Sequence, residues 1–105
     1  GRARAAGKVY LASPERQGAP VLSRALQAGV AAIRAGERNG TRIRRHMLRV
    51  VATEPLATVE YLAVCDPATL EPLSLLKRQA VLLGAIRIGT VRLLDNVLTS
   101  FRRKP

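Results

Sequence analysis

The sequence predicts an α+β fold in which a small three-stranded antiparallel sheet packs against two main helices. Three observations support this prediction. Apolar residues recur at helical spacing in the first half of the chain, and the period changes to two from Val59 onwards. Later, the two residues Gly89-Thr90 separate two apolar stretches, which is typical of an antiparallel hairpin. Each helix would bury its apolar stripe against one face of this sheet.

The first helix is predicted to start at Ser13-Pro14. Ser13 can accept a hydrogen bond from a free backbone N–H, and Pro14 supplies the φ angle of the first helical position. An apolar stripe follows, and the helix should end near Gly36. The stripe consists of Leu22, Leu26, Val30 and Ile33. Pro20 conflicts with an unbroken helix because it lacks a backbone donor, so either the helix is kinked there or its first turn is separate from a main helix that starts near Pro20.

A second helix is predicted after Asn39-Gly40-Thr41, which offers a turn and a cap, and Pro55 should terminate it. The residues expected to face inward are Ile43, Met47 and either Val50 or Val51. The residues expected to line the opposite side are Arg42, Arg45 and Arg49. His46 lies among these arginines, so we interpret it as an exposed residue and not as a catalytic one.

The first strand is predicted over Val59–Cys65, which is rich in β-branched and aromatic residues and stops at the Asp66-Pro67 turn. We expect the Asp66 carboxylate to accept backbone N–H groups in that turn, and we expect a similar role for Asp95. One short helical turn is expected over residues 68–70. Cys65 has no base nearby in the sequence, so we interpret it as a small packed residue.

The hairpin is predicted to consist of Ala80–Ile88 and Val91–Val97, and the first strand should pair with it. Arg87 and Arg92 lie on the two adjacent strands of this hairpin. In one interpretation they clamp a carboxylate substrate, and in the other, which we favour, they pair with an acidic residue across the sheet. The candidate acidic partners are Glu60 and Asp95.

Length and composition indicate a single globular domain. The 105 residues suffice for one modest core, the hydrophobic fraction of 48% is typical of globular proteins, and the longest apolar run is too short to cross a bilayer. We therefore expect no membrane association. The single cysteine cannot form an internal disulfide, and the single histidine excludes a Cys/His metal cluster. These counts favour a cytoplasmic protein without a metal site of its own.

The charge is strongly positive, because 18 Lys and Arg residues oppose 7 Asp and Glu residues and leave a net charge of +11. Such a field attracts polyanions and weakens as salt rises. The excess is almost entirely arginine and is scattered over the whole chain. This scatter favours a solvated surface over a dedicated nucleic-acid site.

Four motifs follow one another in the order and spacing of a known family. They read Val9-Tyr-Leu-Ala-Ser-Pro-Glu-Arg16, Ala35-Gly-Glu-Arg38, Asp66-Pro-Ala-Thr-Leu-Glu-Pro72 and Arg92-Leu-Leu-Asp-Asn96. In these motifs the chain resembles the carboxy-terminal domain of the pantoate-beta-alanine ligase family, from about Lys8 to Leu98. The resemblance divides the chain into a boundary or linker segment at 1–8, a domain at 9–98 and a basic tail at 99–105.

The resemblance implies an enzyme in which ATP and pantoate form a pantoyl adenylate with release of pyrophosphate, after which beta-alanine attacks to give pantothenate. It also implies that a larger amino-terminal domain of Rossmann type, with a His-x-Gly-His motif, supplies the nucleotide pocket. This chain contains neither. We therefore expect a lid-like domain that needs the missing domain or subunit as its partner. It should be inactive and bind no cofactor alone, while the resemblance implies ATP and Mg²⁺ for the complete enzyme.

The family's domain carries a mobile Ser-Ser-Arg-Asn segment, whose hydroxyls and guanidinium contact the ATP phosphates as the domain closes. The corresponding residues here are Ala5-Ala-Gly-Lys8, so no catalytic residue is carried over. Lys8 and the nearby Arg4 are candidate phosphate contacts, although a lysine is a point charge and lacks the forked geometry of arginine. A solvated lysine at the domain edge is the interpretation we favour.

A second class of function is a non-catalytic basic module that binds nucleic acid or an acidic protein. Its candidate residues are Arg42, Arg45 and Arg49. Such binding would rest on charge and weaken with salt, because only Tyr10, Tyr61 and Phe101 are available for stacking on bases. The sequence favours this alternative less than the ligase domain.

Overall fold

The computed structural model describes residues 14–101, in which two helices are followed by three strands. The elements are α1 (Pro14–Arg34), α2 (Gly40–Val51), β1 (Ala57–Cys65), β2 (Gln79–Ile88) and β3 (Val91–Ser100). The sheet is antiparallel with the order β1-β2-β3, so β2 is the central strand. The predicted α+β class with a three-stranded antiparallel sheet is confirmed. Neither helix of the described range is long and apolar enough to cross a membrane.

The hydrophobic core lies between the two helices and one face of the sheet. From α1 it takes the predicted stripe of Leu22, Leu26, Val30 and Ile33. From α2 it takes Ile43, Met47 and Val51, and from the strands chiefly Leu62, Leu82 and Ile86. On α2 the inward-facing valine is therefore Val51, whereas Val50 is half-buried. Each large side chain removed from water in this way contributes about 1.5–3 kcal/mol to folding before the opposing loss of chain entropy.

Helix α1 runs as one element through Pro20, so the interpretation with a separate first turn is wrong. The residues on both sides of the proline pack on the sheet. Leu22 is buried, and a Cβ built on Gly18 would lie 2.2 Å from the Leu93 Cδ1 atom. This packing holds both halves of the helix in line, although Pro20 removes one backbone hydrogen bond.

Gly36 ends α1, as predicted. Its φ of +109° is a left-handed conformation that glycine adopts without a Cβ clash. The Gly36 N–H donates to the Ile33 carbonyl at 3.0 Å, and the Glu37 N–H donates to the Ala32 carbonyl at 2.9 Å. These two bonds form a Schellman motif, which satisfies carbonyl groups that the helix end would otherwise leave unpaired.

The start of α2 is held by a cap and by a close backbone contact. The Asn39 Oδ1 atom accepts the Arg42 backbone N–H at 3.0 Å, which confirms the predicted cap. The Gly40 N–H donates to the Ser74 carbonyl at 2.9 Å. A Cβ at Gly40 would lie only 1.9 Å from the Leu73 carbonyl oxygen. The loop between β1 and β2 therefore lies directly against the first turn of α2.

The register of the sheet contains one irregularity. It shifts between Val59 and Tyr61 in the pairing of β1 with β2, which makes Glu60 a bulge. β2 and β3 pair without interruption, and Gly89 enters the predicted two-residue loop with φ +62°. β3 continues past the predicted end at Val97 to Ser100, so the first residues of the segment assigned to the tail are strand residues.

The two aspartates that were expected to accept backbone N–H groups in turns have different positions in the structure. Asp66 Oδ1 accepts the N–H groups of Ala68 and Thr69 at 2.7 and 3.1 Å, which confirms its role, and the Leu70 N–H closes a single turn onto the Asp66 carbonyl. The same turn role for Asp95 is wrong, although its Oδ1 atom accepts the Asn96 backbone N–H at 2.8 Å. Asp95 lies inside β3, opposite Gly84, because the strand continues in register with β2.

We predict that Gly40→Ala destabilises the protein by about 3 kcal/mol, since the new Cβ meets backbone that cannot move without breaking the loop contact. Urea unfolding followed by circular dichroism measures this change in the free energy of unfolding. Thr41→Ala, at the next and exposed position, is the control and should change it by less than about 0.5 kcal/mol. Equal effects of the two substitutions would contradict the close contact.

Candidate interaction surface

The residues that the sequence singled out for anion binding fall into two groups. Lys8 and Arg4 lie outside the described residues. The other group is Arg42, Arg45 and Arg49, which are exposed on α2 as predicted. The ion pairs found within residues 14–101 involve none of these three arginines. They form a solvated basic stripe, and the exposed His46 lies beside them.

Glu60 is the centre of an ion-pair network at the hairpin end of the sheet. Its Oε2 atom accepts from Arg87 Nη2 at 2.6 Å and from Arg87 Nε at 3.0 Å, and its Oε1 atom accepts from Arg92 Nε. The favoured pairing of the two arginines with an acidic residue is therefore confirmed, with Glu60 and not Asp95 as the partner. Because both arginines bind the protein's own carboxylate, they do not form an open substrate clamp.

The network changes the acidity of Glu60. The hydrogen bonds from Arg87, and then those from Arg92, stabilise the ionised carboxylate and lower the pKa of Glu60 below its ordinary value. Partial desolvation acts in the opposite direction but has a smaller effect. Glu60 is therefore ionised at neutral pH, and its two oxygens fix the arginines over the bulged strand.

A cleft of about 640 Å³ lies at the other end of the sheet, between the β1–β2 loop and the start of β2. Its wall includes Asp66, Leu75, Lys77 and Arg78. The Asp66 carboxylate already accepts backbone N–H groups, and the neighbouring Cys65 is buried, which raises the pKa of its thiol. The described wall of this cleft offers no free base or activated nucleophile.

Metal ligands are equally sparse. Among residues 14–101 no three His, Cys, Asp or Glu side chains come together in a group that could hold a metal ion. The described part of the domain therefore contains cations and backbone donors, which suit anions, but no donor set for a divalent metal.

The face of the sheet that points away from the helices is mainly apolar at its centre. In β2, Leu82 and Gly84 face α1, because Cβ atoms built on Gly29 and Gly84 would meet Leu82 Cδ2 at 2.4 Å and Leu22 Cδ1 at 2.7 Å. Alternate residues of a strand point to the opposite side, and directly paired residues share a face. We call that side the outer sheet face; its central residues are Tyr61, Ala63, Cys65, Val81, Leu83, Ala85, Leu94, Asn96 and Leu98, of which Asn96 is polar and exposed.

The outer sheet face is exposed at its β3 side. Leu94 and Leu98 are 60% and 59% exposed, and Tyr61 is 40% exposed. Sequence reasoning missed this surface. The available signal was that β3 carries apolar residues at positions of both parities, with Leu93 next to Leu94 and Val97 next to Leu98, which is typical of a strand covered on two faces.

Comparison with known proteins shows that the chain is similar to one group of enzymes. A sequence model of the family described as pantoate-beta-alanine ligase matches residues 1–98. The chain is 44% identical over 90 residues to the pantothenate synthetase of Herpetosiphon aurantiacus, covering 85% of this chain and 33% of that protein. It is 44% identical over 98 residues to the pantothenate synthetase of Roseiflexus castenholzii, covering 93% and 35%.

A solved structure shows the same arrangement of helices and strands. The crystal structure of pantothenate synthetase from Thermus thermophilus superposes with a TM-score of 0.75 and 34% sequence identity, covering 86% of this chain and 32% of that chain. The chain thus spans about a third of the length of the relatives that it matches.

We predict that Glu60→Gln lowers stability at neutral pH and that this difference disappears in acid. A carboxyl whose pKa is lowered on folding stabilises the protein above its unfolded pKa, and this contribution is lost as the pH falls through the folded pKa. Urea midpoints of the wild type and the variant should therefore differ at about pH 7 and converge near about pH 2.5. The control Glu71→Gln makes the same change at an exposed residue and should follow the wild type at both pH values. A constant difference across this range would contradict the network.

Proposed function

Because this chain belongs to the pantoate-beta-alanine ligase family, we propose that it acts as the lid-like carboxy-terminal domain of an ATP-dependent enzyme that joins pantoate to beta-alanine. The observation that supports this proposal is the superposition of nearly the whole described fold on one third of a pantothenate synthetase. The relatives' remaining two thirds would then supply the nucleotide pocket and form the pantoyl adenylate.

The chemistry of the described residues fits this division of labour. Forming the adenylate releases pyrophosphate, whose growing negative charge needs positioned donors and cations. Attack by the amine needs a substrate held in place and shielded from water. The described residues provide a compact cover with a positive field. Their titratable groups lie in turns, in ion pairs or in contact with solvent. Mg²⁺ would be bound by other parts of the complete enzyme, since residues 14–101 contain no suitable cluster.

Two further details remain proposals. Lys8, with Arg4 nearby, is the candidate phosphate contact in place of the family's Ser-Ser-Arg-Asn segment, because a cation next to the first motif would reach the same anion. A cytoplasmic location suits an enzyme that consumes ATP. The exposed stripe of Arg42, Arg45 and Arg49 remains the candidate surface for the alternative role in polyanion binding, but the family membership does not favour that role.

We predict that the chain alone releases no pyrophosphate from ATP and pantoate and forms no pantothenate when beta-alanine is added. A hybrid synthetase, in which this chain replaces the matching third of the Herpetosiphon aurantiacus enzyme, should form pantothenate. Pyrophosphate release and pantothenate formation are measured for both proteins, with the unaltered Herpetosiphon enzyme as the control. Robust turnover by the chain alone would refute the need for a partner domain.

We predict that replacing Ala5-Ala-Gly-Lys8 by Ser-Ser-Arg-Asn raises kcat of the hybrid synthetase by about 100-fold, because it restores donors aimed at charge that develops in the transition state. Lys8→Ala in the unmodified hybrid tests the substitute contact: if Lys8 binds an ATP phosphate, KM for ATP rises, whereas Lys104→Ala, at a lysine of the basic tail, leaves KM unchanged. An unchanged KM in Lys8→Ala would leave that lysine as a solvated residue.

A further inference from the structure

We propose that the helical side of the domain binds the phosphate backbone of a nucleic acid duplex, in addition to the ligase role and independently of it. The charge of the chain is unevenly placed. Residues 16–51, which hold most of α1 and all of α2, carry eight arginines and one glutamate, a net charge of +7. Residues 52–101, which hold the sheet, carry four cations and five carboxylates, a net charge of −1. The fold therefore gathers into one layer the arginines that are scattered along the sequence.

Exposed arginines of both helices lie opposite the core. Arg45 is two residues from Ile43 and two from Met47, which are both buried, so it lies about 160° around α2 from each of them. Arg24 has the same relation to two buried leucines of α1. Both helices pack on one face of the sheet, so their exposed sides form one surface. We call this surface the helical basic face; its residues are Arg24, Arg34, Arg42, Arg45 and Arg49.

The guanidinium groups of the helical basic face are available to a ligand. None of them makes a hydrogen bond or ion pair with another residue of the range 14–101. Other arginines of the layer are engaged, because Arg44 Nε donates to the Leu62 carbonyl at 2.6 Å and Arg38 Nη1 donates to the Ile33 carbonyl at 2.7 Å. Glu37, the one acidic residue of the layer, accepts two backbone N–H groups through its Oε2 atom. The face is therefore an excess of uncompensated positive charge.

The composition of this face favours phosphate over other polyanions. All strongly exposed large apolar residues of the described range follow α2 in the sequence, so the helices contribute none. A specific protein interface needs an apolar or aromatic centre, and a helix that lies on a membrane needs large apolar side chains. Phosphate needs neither, because a guanidinium group binds two of its oxygens in a fork. The helical basic face thus has the groups that a nucleic acid backbone requires.

The same composition favours a duplex over a single strand. Residues 16–51 contain no Phe, Tyr or Trp, so the layer has no ring of these types on which unpaired bases could stack. The rise of α2 from Arg42 to Arg49 is about 10.5 Å. Over that length a duplex presents about six phosphates. The face should therefore bind duplexes through their backbone and without regard to base sequence.

The test measures binding of a fluorescent DNA duplex of about 20 base pairs by anisotropy, at salt concentrations from about 50 to about 200 mM. The variant carries Arg45→Ala and Arg49→Ala on the helical basic face. The matched control carries Lys77→Ala and Arg78→Ala, which remove the same charge at two exposed residues of the β1–β2 loop. Circular dichroism verifies that both variants are folded. Unlabelled duplex and polyglutamate of equal total charge serve as competitors, and the same substitutions are made in the hybrid synthetase.

We expect the slope of log affinity against log salt to become shallower by about 1.8 in the Arg45→Ala, Arg49→Ala variant, because each lost phosphate contact removes about 0.9. A fourfold rise in salt then lowers the affinity of the variant by about 12-fold less than that of the wild type. The control should keep the wild-type slope.

Equal changes of slope in the variant and the control would overturn the inference in favour of diffuse attraction by net charge. Polyglutamate that competes as well as unlabelled duplex would overturn it in favour of an acidic protein. A hybrid synthetase that forms pantothenate but binds no duplex would also overturn it and leave the proposed function intact. A hybrid that binds the duplex but forms no pantothenate would support this inference and count against the proposed function alone.

Discussion

Burial of α1 along the central strand β2 is the contact on which the rest of the fold depends. Gly18, Gly29 and Gly84 have no side chains at the contact between helix and sheet. Large residues such as Leu22 and Leu82 therefore fill the space between them. α2 packs on α1 and on the edge near β1, and the β1–β2 loop then closes against the start of α2. Because both helices lie on one side, the sheet has a second face that its own helices do not use.

The features that sequence reasoning predicted were those with a local physical cause. The stripe from Leu22 to Ile33 has helical spacing, Asn39 has a side chain that caps, Asp66 precedes a proline, and Gly89 permits a two-residue hairpin loop. In each case a few neighbouring residues determine the conformation. The resemblance to a ligase domain added the family, which periodicity alone does not provide.

The features that sequence reasoning missed depend on register and on distant contacts. The bulge at Glu60, which brings one carboxylate within reach of both arginines, follows from the pairing of β1 with β2. The run of β3 to Ser100 follows from its pairing with Gln79, and the unbroken helix at Pro20 follows from packing on the sheet. The outer sheet face required the same knowledge, because only the register shows which leucines of β3 share a side.

The position of Asp95 has a further consequence for contacts between the edge of the sheet and other molecules. β3 is an edge strand, so one row of its backbone donors and acceptors has no neighbour within the sheet, and such a row can recruit a strand from another molecule. Asp95 lies midway along this edge, on the side of the sheet that faces the core. If a further strand were added to the edge, the Asp95 side chain would point toward the core of the extended sheet. A charge at that position disfavours the edge-to-edge pairing of one copy of the domain with the next. Asp95, which has no role in a turn, can therefore oppose fibrous aggregation.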